Sequence, residues 1–234
     1  MHDITAICIS TTHGKCLPVL LKSIEQYVPS QVEIYLAFTS LAYMNYHSRN
    51  HSMVLCKTEA RNFGDAYNFI CNRAFGKHDN IVIANDDIVF NPDSFEKLQE
   101  DWRMLNEYDG DKLGYLAARS NYVRGVQNVR WHDENAKTNG LQYAHEKAII
   151  ETSIIAPICA VINRHSWIDF LPINLYSDDV QCLMMAKQKK MHFVSRGYVH
   201  HIGSQTVDYS AKEHEETMVY LKEHFIEYYH YLKA

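Results

Sequence analysis

The sequence predicts an α/β domain with a mainly parallel central sheet that is flanked by helices. Short apolar runs alternate with stretches of helical periodicity, and polar turns separate them, as in β-α-β units. The composition is that of an ordinary folded protein, since 47% of the 234 residues are hydrophobic and 22% are charged. These values exclude disordered and fibrous proteins, and the length favours one domain over residues 1–234.

The first half of the chain shows the α/β pattern most clearly. The predicted strands cover residues 4–9, 32–37, 53–56 and 80–84, and the predicted helices cover residues 17–27, 65–74 and 93–108. Asp93 and Glu96 have the D-x-x-E spacing of a capping box at the start of the third helix. Ligands of such sheets bind beyond the carboxyl ends of the strands, so the residues that follow each strand are the first candidates for a site.

The second half is less regular. Residues 113–118, 155–163 and 192–194 read as strands, residues 177 to about 189 as a helix, and residues 200–203 as a polar turn. Apolar residues at spacings of three and four predict one amphipathic helix over residues 212–232. The polar stretch from residue 119 to about 150 is too long for a plain connection, and loops of this length are typical of binding loops or lids.

Charge and cysteine content exclude several classes of function. The formal net charge of −5 argues against nucleic-acid binding through phosphate neutralisation. The six cysteines include no C-x-x-C pair, which excludes a zinc ribbon and is typical of a reducing compartment. The N-terminus lacks the pattern of a secretion signal, and no apolar run approaches the length of a membrane span. We therefore expect a cytoplasmic protein without a membrane span.

The sharpest local signal follows the fourth predicted strand, where an apolar run ends in Asn85, Asp86 and Asp87. Carboxylate and amide oxygens at this edge of the sheet suit hard divalent cations such as Mn²⁺ or Mg²⁺. Such a cation offsets the charge of a diphosphate leaving group. The alternative is an ordinary turn, because Asn and Asp side chains bond their own backbone and favour turns.

At this point the chain resembles the GT-A-fold glycosyltransferases, and most of all their family 2. The resemblance rests on the A-R-N-F-G run at residues 60–64, Asn68, the strand and N-D-D run at residues 80–87, and the N-P-D-S-F run at residues 91–95. It implies a nucleotide-binding half over about residues 1–90, an acceptor-side half over about 91–206 and a C-terminal helix over 207–234. It also implies a donor that is a nucleotide sugar, with a UDP-sugar as the default, and a hydroxyl acceptor such as a glycan.

The resemblance assigns the residues of the nucleotide-binding half as follows. Asp87 is implied as the direct ligand of Mn²⁺ or Mg²⁺ in a DXD-like motif, and Asn85 as a contact to ribose or sugar, with Asp86 between them. The remaining implied donor contacts are Thr11, Thr12, His13, Arg61, Asn62 and Asn68. Relatives often end the second strand in an Asp that reads uracil, whereas residues 37–40 here read A-F-T-S and contain no acid.

A second acidic motif, Asp178-Asp179, precedes the helix predicted from residue 177. It resembles the family's E-D motif, whose second acid deprotonates the acceptor hydroxyl, and this implies Asp179 as the base and Asp178 as the second choice. The arginine that relatives often carry further along this helix is missing. The alternative is purely structural, because Ser177 is a natural N-cap and acids in the first turn complement the helix dipole.

Late histidines complete the resemblance. Relatives often carry H-x-G-x-S after a final strand, where the histidine binds metal or diphosphate, and the best match here is His201, with His200 beside it. Imidazole is a common ligand for Mn²⁺-class ions. The alternative is a surface or hydrogen-bonded histidine, because the chain contains 14 histidines.

The long middle stretch adds weaker candidates. Tyr122 and the W-H-D run at residues 131–133 are interpreted as stacking partners for a sugar ring or as hydrophobic lid contacts. Arg119, Arg124 and Arg130 are interpreted as phosphate ligands or as solvated surface residues.

Three functions stay open from the sequence. The first is a metal-dependent glycosyltransferase; the likeness to family 2 implies inversion at the anomeric carbon, and retention stays open because retaining GT-A enzymes carry D-x-D motifs and late histidines too. The second is a nucleotidyltransferase-like phosphate-handling enzyme, although residues 10–14 contain no Gly-rich phosphate loop. The third is a non-catalytic module that binds a sugar or nucleotide through the same fold.

Overall fold

The computed structural model describes residues 2–40, 46–129, 148–203 and 210–233. Within these ranges the strands are β1 Ala6–Thr11, β2 Glu33–Phe38, β3 Met53–Lys57, β4 Asn80–Asn85, β5 Ile88–Phe90, β6 Leu113–Ser120, β7 Ile150–Thr152, β8 Cys159–Asn163 and β9 Met191–His201. The helices are α1 Leu17–Tyr27, α2 Phe63–Phe75, α3 Ser94–Asp109, α4 Ser177–Lys187, α5 Ala211–His224 and α6 Ile226–Lys233. None of these helices combines the length and the apolar character that crossing a membrane requires.

All nine strands belong to one sheet, with the order β3-β2-β1-β4-β8-β6-β9-β5 and with β7 paired to β9. The first four strands pair in parallel, as predicted. Beyond β4 the sheet is mixed, because β8 is antiparallel to both of its neighbours, β6 is parallel to β9, and β5 and β7 are antiparallel to β9. The carboxyl ends of β1 and β4 therefore lie beside the end of β9 that carries the late histidines.

The core has two layers because successive strand residues point to opposite faces of the sheet. Ile7 and Ile9 of β1 pack on the side covered by α1 and α3, whereas Ala6 and Cys8 pack on the side covered by α2 and α4. Burying each large aliphatic side chain contributes about 1.5–3 kcal/mol, so this alternation holds helices on both faces. A third, smaller cluster joins α4 to α5 and α6.

Asp93 is the N-cap residue of α3, as predicted, but neither Asp93 nor Ser177 makes a capping hydrogen bond. Asp93 lies in the left-handed region at a φ of 63° and makes no capping hydrogen bond, while the Ser94 hydroxyl donates to a carbonyl of β9. Ser177 lies inside α4, and its hydroxyl donates to the Leu171 carbonyl at 2.8 Å. Tyr176 occupies the N-cap position, also left-handed at a φ of 62°. Ser94 thus connects the start of α3 to a strand 104 positions away, whereas Ser177 connects the start of α4 to Leu171, six positions earlier.

Three predicted boundaries in the second half also differ from the structure. The strand predicted over residues 155–163 begins only at Cys159, and the preceding residues line a cleft instead. The strand predicted over residues 192–194 continues to His201, because β9 is paired with β6, β7 and β5 along its length. The single C-terminal helix is two helices, since the backbone leaves the helical region at Phe225.

Candidate active site

The predicted metal-binding residues Asp87 and His201 lie in contact. Asp87 follows the end of β4, and His201 ends β9, which pairs with β5 so that Ile88 lies opposite His201. This register places the Nε2 atom of His201 3.1 Å from the Oδ1 atom of Asp87. Both side chains are buried, at 9% and 6% exposure. Residues 114 positions apart are thus brought together at the carboxyl edge of the sheet.

The surrounding loop orients the His201 ring. Nδ1 of His201 lies 2.5 Å from the Tyr122 carbonyl oxygen, which can only accept, so Nδ1 carries a proton and Nε2 faces Asp87. Asn121 holds the backbone of His201 through two hydrogen bonds, one accepted from its N–H and one donated to its carbonyl. Burial by itself lowers the pKa of His201, but the hydrogen bond and charge of Asp87 outweigh it and raise the pKa overall.

Gly203 allows the Tyr122 ring to pack over His201. It adopts a φ of +83°, and a Cβ at this position would lie 2.3 Å from the Tyr122 ring. The Tyr122 ring packs edge-on against the His201 ring, with 5.8 Å between the ring centroids. The glycine of the H-x-G motif therefore makes room for Tyr122, while Ser204 of the same motif lies outside the described residues.

The donor atoms fit a hard divalent cation that also binds a substrate phosphate. Asp87 offers a carboxylate, and Nε2 is the nitrogen of His201 on which a cation could replace the proton, because Nδ1 is committed to a carbonyl. Among the described residues, no three His, Cys, Asp or Glu side chains form a ligand cluster. Two protein ligands match a cation whose other positions are filled by diphosphate oxygens and water. His200 is not brought into this arrangement, because it points to the opposite face of β9 and contacts the Tyr198 hydroxyl.

The other two residues of the N-D-D run differ in their surroundings. Asp86 is buried and accepts a hydrogen bond from the Thr11 hydroxyl at 2.5 Å, which ties the carboxyl end of β4 to that of β1. Asn85 lines the cleft described below. Thr12 and His13 follow β1 as exposed residues. Of the predicted nucleotide contacts, Asn85 therefore reaches the cleft, whereas the side chain of Asp86 makes a contact within the protein.

Two of the predicted donor residues, Asn62 and Asn68, make hydrogen bonds within the protein. The Asn68 side chain donates to the Phe170 carbonyl and accepts from the Phe170 N–H, and Asn62 caps α2 by accepting from the Asp65 N–H. At Gly64 a Cβ would lie 1.8 Å from the Leu171 carbonyl oxygen, so only glycine allows this approach. These contacts do not support the prediction that Asn62 and Asn68 bind the donor.

Arg61 precedes α2 as an exposed residue. Together with Thr12, His13, Asn62 and Asn68, it is not among the described residues that line the cleft. The residues predicted to bind nucleotide on this side of the molecule therefore stay predictions, and the structure brings none of these five side chains to the cleft wall.

The second acidic motif lies in the first turn of α4 and is paired with Arg124. The Nη2 atom of Arg124 lies 2.7 Å from Asp179 and 3.2 Å from Asp178. The Asp179 side chain is 2% exposed, whereas that of Asp178 is 19% exposed. Burial and the adjacent charge of Asp178 raise the pKa of Asp179 to about 7, although Arg124 acts in the opposite direction.

A cleft of about 870 Å³ joins the two groups of residues. Asn85 and His201 lie on its wall at the carboxyl edge of the sheet, and Arg124 and Asp178 lie on its wall beside α4. The other lining residues are Phe63, Tyr122, Val123, Asn128, Ala156, Pro157, Ile158, Asn174, Leu175, Tyr176, Ser210, Ala211 and His214. The cleft thus combines a candidate cation site, a carboxylate pair and apolar walls, which is the usual composition of a small-molecule site.

Several of these lining residues were missed by sequence reasoning. Asn174 bridges two helix starts, because it accepts from the Phe63 N–H and donates to Glu213 of α5. His214 contacts the Tyr176 hydroxyl from α5. No motif marks these positions, and the only sequence signal is that Tyr176 lies two positions before the acidic motif. The predicted residues Arg130 and 131–133 lie outside the described residues.

Comparison with known proteins finds neighbours in structure. No family model matches the chain, and no curated protein matches it. The solved structures that resemble it include TarS residues 1–349 from S. aureus in complex with UDP-GlcNAc, at a TM-score of 0.60 and 13% identity over 92% of this chain and 64% of that one. They also include GalNAc-T7 with UDP, GalNAc and Mn²⁺, at a TM-score of 0.63 and 10% identity over 85% of this chain and 44% of that one.

These similarities confirm the predicted fold, which is the GT-A fold. The identities of 10–13% are too low to transfer an activity, so they show the fold alone. The chain also spans less than two thirds of the length of the solved chains that it matches. The function therefore has to be argued from the cleft.

Proposed function

We propose that the protein is a glycosyltransferase that moves a sugar from a nucleotide-sugar donor, by default a UDP-sugar, to a hydroxyl acceptor such as a glycan. The observation that carries this proposal is that one cleft contains both His201, in contact with Asp87, and Asp178 of the second acidic motif. The fold is shared with structures that contain UDP-GlcNAc or UDP, which supports the donor class.

The donor diphosphate would lie at the carboxyl edge of the sheet. Asp87 and His201 would hold a Mn²⁺ or Mg²⁺ ion there, and the Mn²⁺ in the GalNAc-T7 structure supports this metal class. When bound, the cation supplies positive charge that stabilises the departing diphosphate. Asn85, on the same wall of the cleft, would contact the ribose or the sugar.

The acceptor would lie on the side of α4. Its hydroxyl oxygen forms a bond to the anomeric carbon while the bond from that carbon to the diphosphate oxygen breaks and the electron pair leaves with the nucleoside diphosphate. The hydroxyl proton passes to the carboxylate pair on α4. Attack from the side opposite the diphosphate inverts the anomeric centre, as the likeness to family 2 implies.

Within the carboxylate pair, we assign the contact with the hydroxyl to Asp178. A base must lie within hydrogen-bond reach of the proton that it takes, and Asp178 lies on the cleft wall. Asp179 lies behind it, 2% exposed and paired with Arg124. This reverses the order implied by the sequence resemblance, in which the second acid is the base, and the reason is the burial of Asp179.

The test is release of nucleoside diphosphate from a panel of nucleotide sugars in the presence of Mn²⁺ and hydroxyl acceptors. We expect turnover with at least one donor, loss of turnover in EDTA, and loss in Asp87→Asn, which keeps the size of the side chain but removes its charge. Asp109→Asn is the matched control. Asp109 is the last residue of α3, and its exposed side chain pairs with Lys112. Tight binding of a donor without any turnover would instead indicate a non-catalytic binding module.

A further inference from the structure

The loop from Asn121 to Asn128, here the 121–128 loop, contacts both chemical groups of the cleft. Its first residues hold His201, through the Asn121 side chain and the Tyr122 carbonyl. Two residues further on, Arg124 reaches Asp178 and Asp179 of α4. A single short segment therefore connects the candidate cation site with the acidic pair, and its position affects both.

The 121–128 loop is held at its far end as well. The buried Gln127 side chain donates to the carbonyls of Ala118 and Ala156 and accepts from the Ala156 N–H. Asn128 donates from its side chain to the Val123 carbonyl across the loop. Hydrogen bonds at both ends of the loop hold the backbone at Arg124. The side chain therefore extends towards α4 from a fixed Cα position, although it is 52% exposed.

Arg124 is a single positive charge that contacts two adjacent carboxylates. Two carboxylates adjacent in sequence share a single guanidinium nitrogen atom, Nη2, and the more buried carboxylate makes the shorter contact. The negative charge of each carboxylate opposes ionisation of the other, and burial of Asp179 also opposes its ionisation. The guanidinium favours the ionised state, so it decides how readily the pair is found without a proton.

Other titratable groups near the pair come from α4, β6, β9 and α5. Burial raises the pKa of Cys182 on α4 and of Tyr115 on β6, and this keeps both neutral. His192 of β9 contacts the Cys182 carbonyl, and burial lowers its pKa. His214 of α5 lies on the same cleft wall as Asp178. Within the described residues, the cation in direct contact with the pair is Arg124.

We propose that Arg124 is a positioning residue that holds Asp179 in place and favours the ionised state of the Asp178–Asp179 pair, with Asp178 turned to the cleft. This role rests on the proposed function, because an ionised pair is what an acceptor hydroxyl needs to lose its proton. Arg124 acts through the carboxylates. In this role it does not touch the reacting atoms. Its effect is on the pH at which the carboxylate pair can accept a proton.

The test is a titration of the side-chain carboxyl carbons of the pair by NMR in the wild-type protein and in Arg124→Gln. An opposite charge at this distance lowers a carboxyl pKa by about 1–3 units, so its loss should raise the titration midpoint of the pair by about that amount. Arg124→Lys, which keeps the charge, should restore at least half of the shift. Equal midpoints in wild type and Arg124→Gln would overturn the proposal, and so would a midpoint in Arg124→Lys as high as that in Arg124→Gln.

Arg103→Gln is the matched control. Arg103 of α3 has the same exposure as Arg124, 52%, and the same shortest distance to a carboxylate, 2.7 Å to Asp3, but it lies away from the cleft. We expect no change in the midpoint of the pair in this variant. A rise as large as that in Arg124→Gln would show that removing any surface arginine is sufficient, and would overturn the specific role of Arg124.

The same variants separate this proposal from the proposed function. If the wild-type protein releases nucleotide, the acidic limb of its pH profile should move to higher pH in Arg124→Gln by the amount that the NMR titration gives, while the KM for the donor stays within about twofold. A limb that stays in place overturns the role of Arg124 in an active enzyme. Lack of turnover by the wild-type protein overturns the glycosyltransferase proposal, and the NMR titration still decides whether Arg124 controls the pair.

Discussion

Glu33 and Asp179 are both buried carboxylates, yet their pKa values shift in opposite directions. Glu33 begins β2 at the amino edge of the parallel strands, where it accepts hydrogen bonds from Lys77, His78 and Tyr35 at 2.8–3.0 Å. Burial by itself raises the pKa of Glu33, but these bonds and one from Ser52 outweigh it and lower the pKa to about 2. Burial and the adjacent carboxylate of Asp178 raise the pKa of Asp179, and its one cation, Arg124, does not outweigh them.

The surroundings of each carboxylate decide which of two purposes the same side-chain chemistry serves. A carboxylate with several donors is more stable ionised in the folded protein than in the unfolded chain, so it contributes to the free energy of unfolding. A carboxylate with too few donors is less stable ionised, and such groups are found at sites where a proton moves. The region around Glu33 therefore reads as structural, and the acidic pair on α4 as the part of the molecule suited to chemistry.

Substitutions in the two regions should differ most in their effect on the rate of sugar transfer. Asp178→Asn should lower sugar transfer by about 100-fold or more, because it removes a positioned base, while donor affinity stays nearly unchanged. Glu33→Gln should leave transfer per folded molecule unchanged. Both are measured as kcat and KM for nucleotide release, with Asp109→Asn as a surface control. Full transfer by Asp178→Asn would return the proton-accepting role to Asp179.

The second effect is on stability. Glu33→Gln should lower the free energy of unfolding by about 2–3 kcal/mol at neutral pH, since the pKa of Glu33 in the folded protein lies well below its ordinary value. The stabilisation is present above the ordinary glutamate pKa and is lost as the pH falls towards about 2. Urea unfolding of wild type and variant from pH 7 to pH 3 should therefore show a gap that narrows in acid.

Glu59→Gln is the control for that experiment, because Glu59 is an exposed glutamate. Its unfolding curve should follow that of the wild-type protein over the whole pH range. If Glu33→Gln also follows the wild type at pH 7, the cluster around Glu33 does not stabilise the fold and the contrast with Asp179 fails.

The third effect is on how the stability of the protein changes with pH. Because the pKa of Asp179 is raised in the folded protein, ionising this group should cost stability as the pH rises from about 4 to about 7. Asp179→Asn removes that term, so its free energy of unfolding should decline less over this range than that of the wild-type protein. A decline equal to that of the wild-type protein would show that Asp179 is not the group whose pKa is raised.

Much of the nucleotide-binding half was predictable, because its signals are local. The four parallel strands are buried runs with clear boundaries, and the carboxyl edge at Asn85 to Asp87 follows from the topology of a parallel sheet. The contact between Asp87 and His201 was implied by resemblance and then found in the structure. The metal-binding role of these residues stays a prediction.

The acceptor-side half was predicted less well, because its contacts are long-range. Ser94 lies at the start of α3, yet its hydroxyl donates to the Tyr198 carbonyl, 104 positions away. Asn68 falls in a motif suggestive of donor binding, yet its amide holds the backbone of Phe170, 102 positions away. Arg124 was ambiguous between a phosphate ligand and a solvated residue. Its pairing with α4 depends on how the 121–128 loop is held, which no local pattern encodes.

Hydrophobic periodicity and the residues at strand ends were enough to determine the layered α/β architecture and the edge of the sheet where the cleft lies. Both follow from local rules, namely which side chains can be buried and where parallel strands end. Contacts made in the folded chain determine which polar side chains face the cleft and which bond to other parts of the protein. That choice depends on hydrogen bonds between distant segments, as in the burial of Asp179 behind Arg124 beside an accessible Asp178.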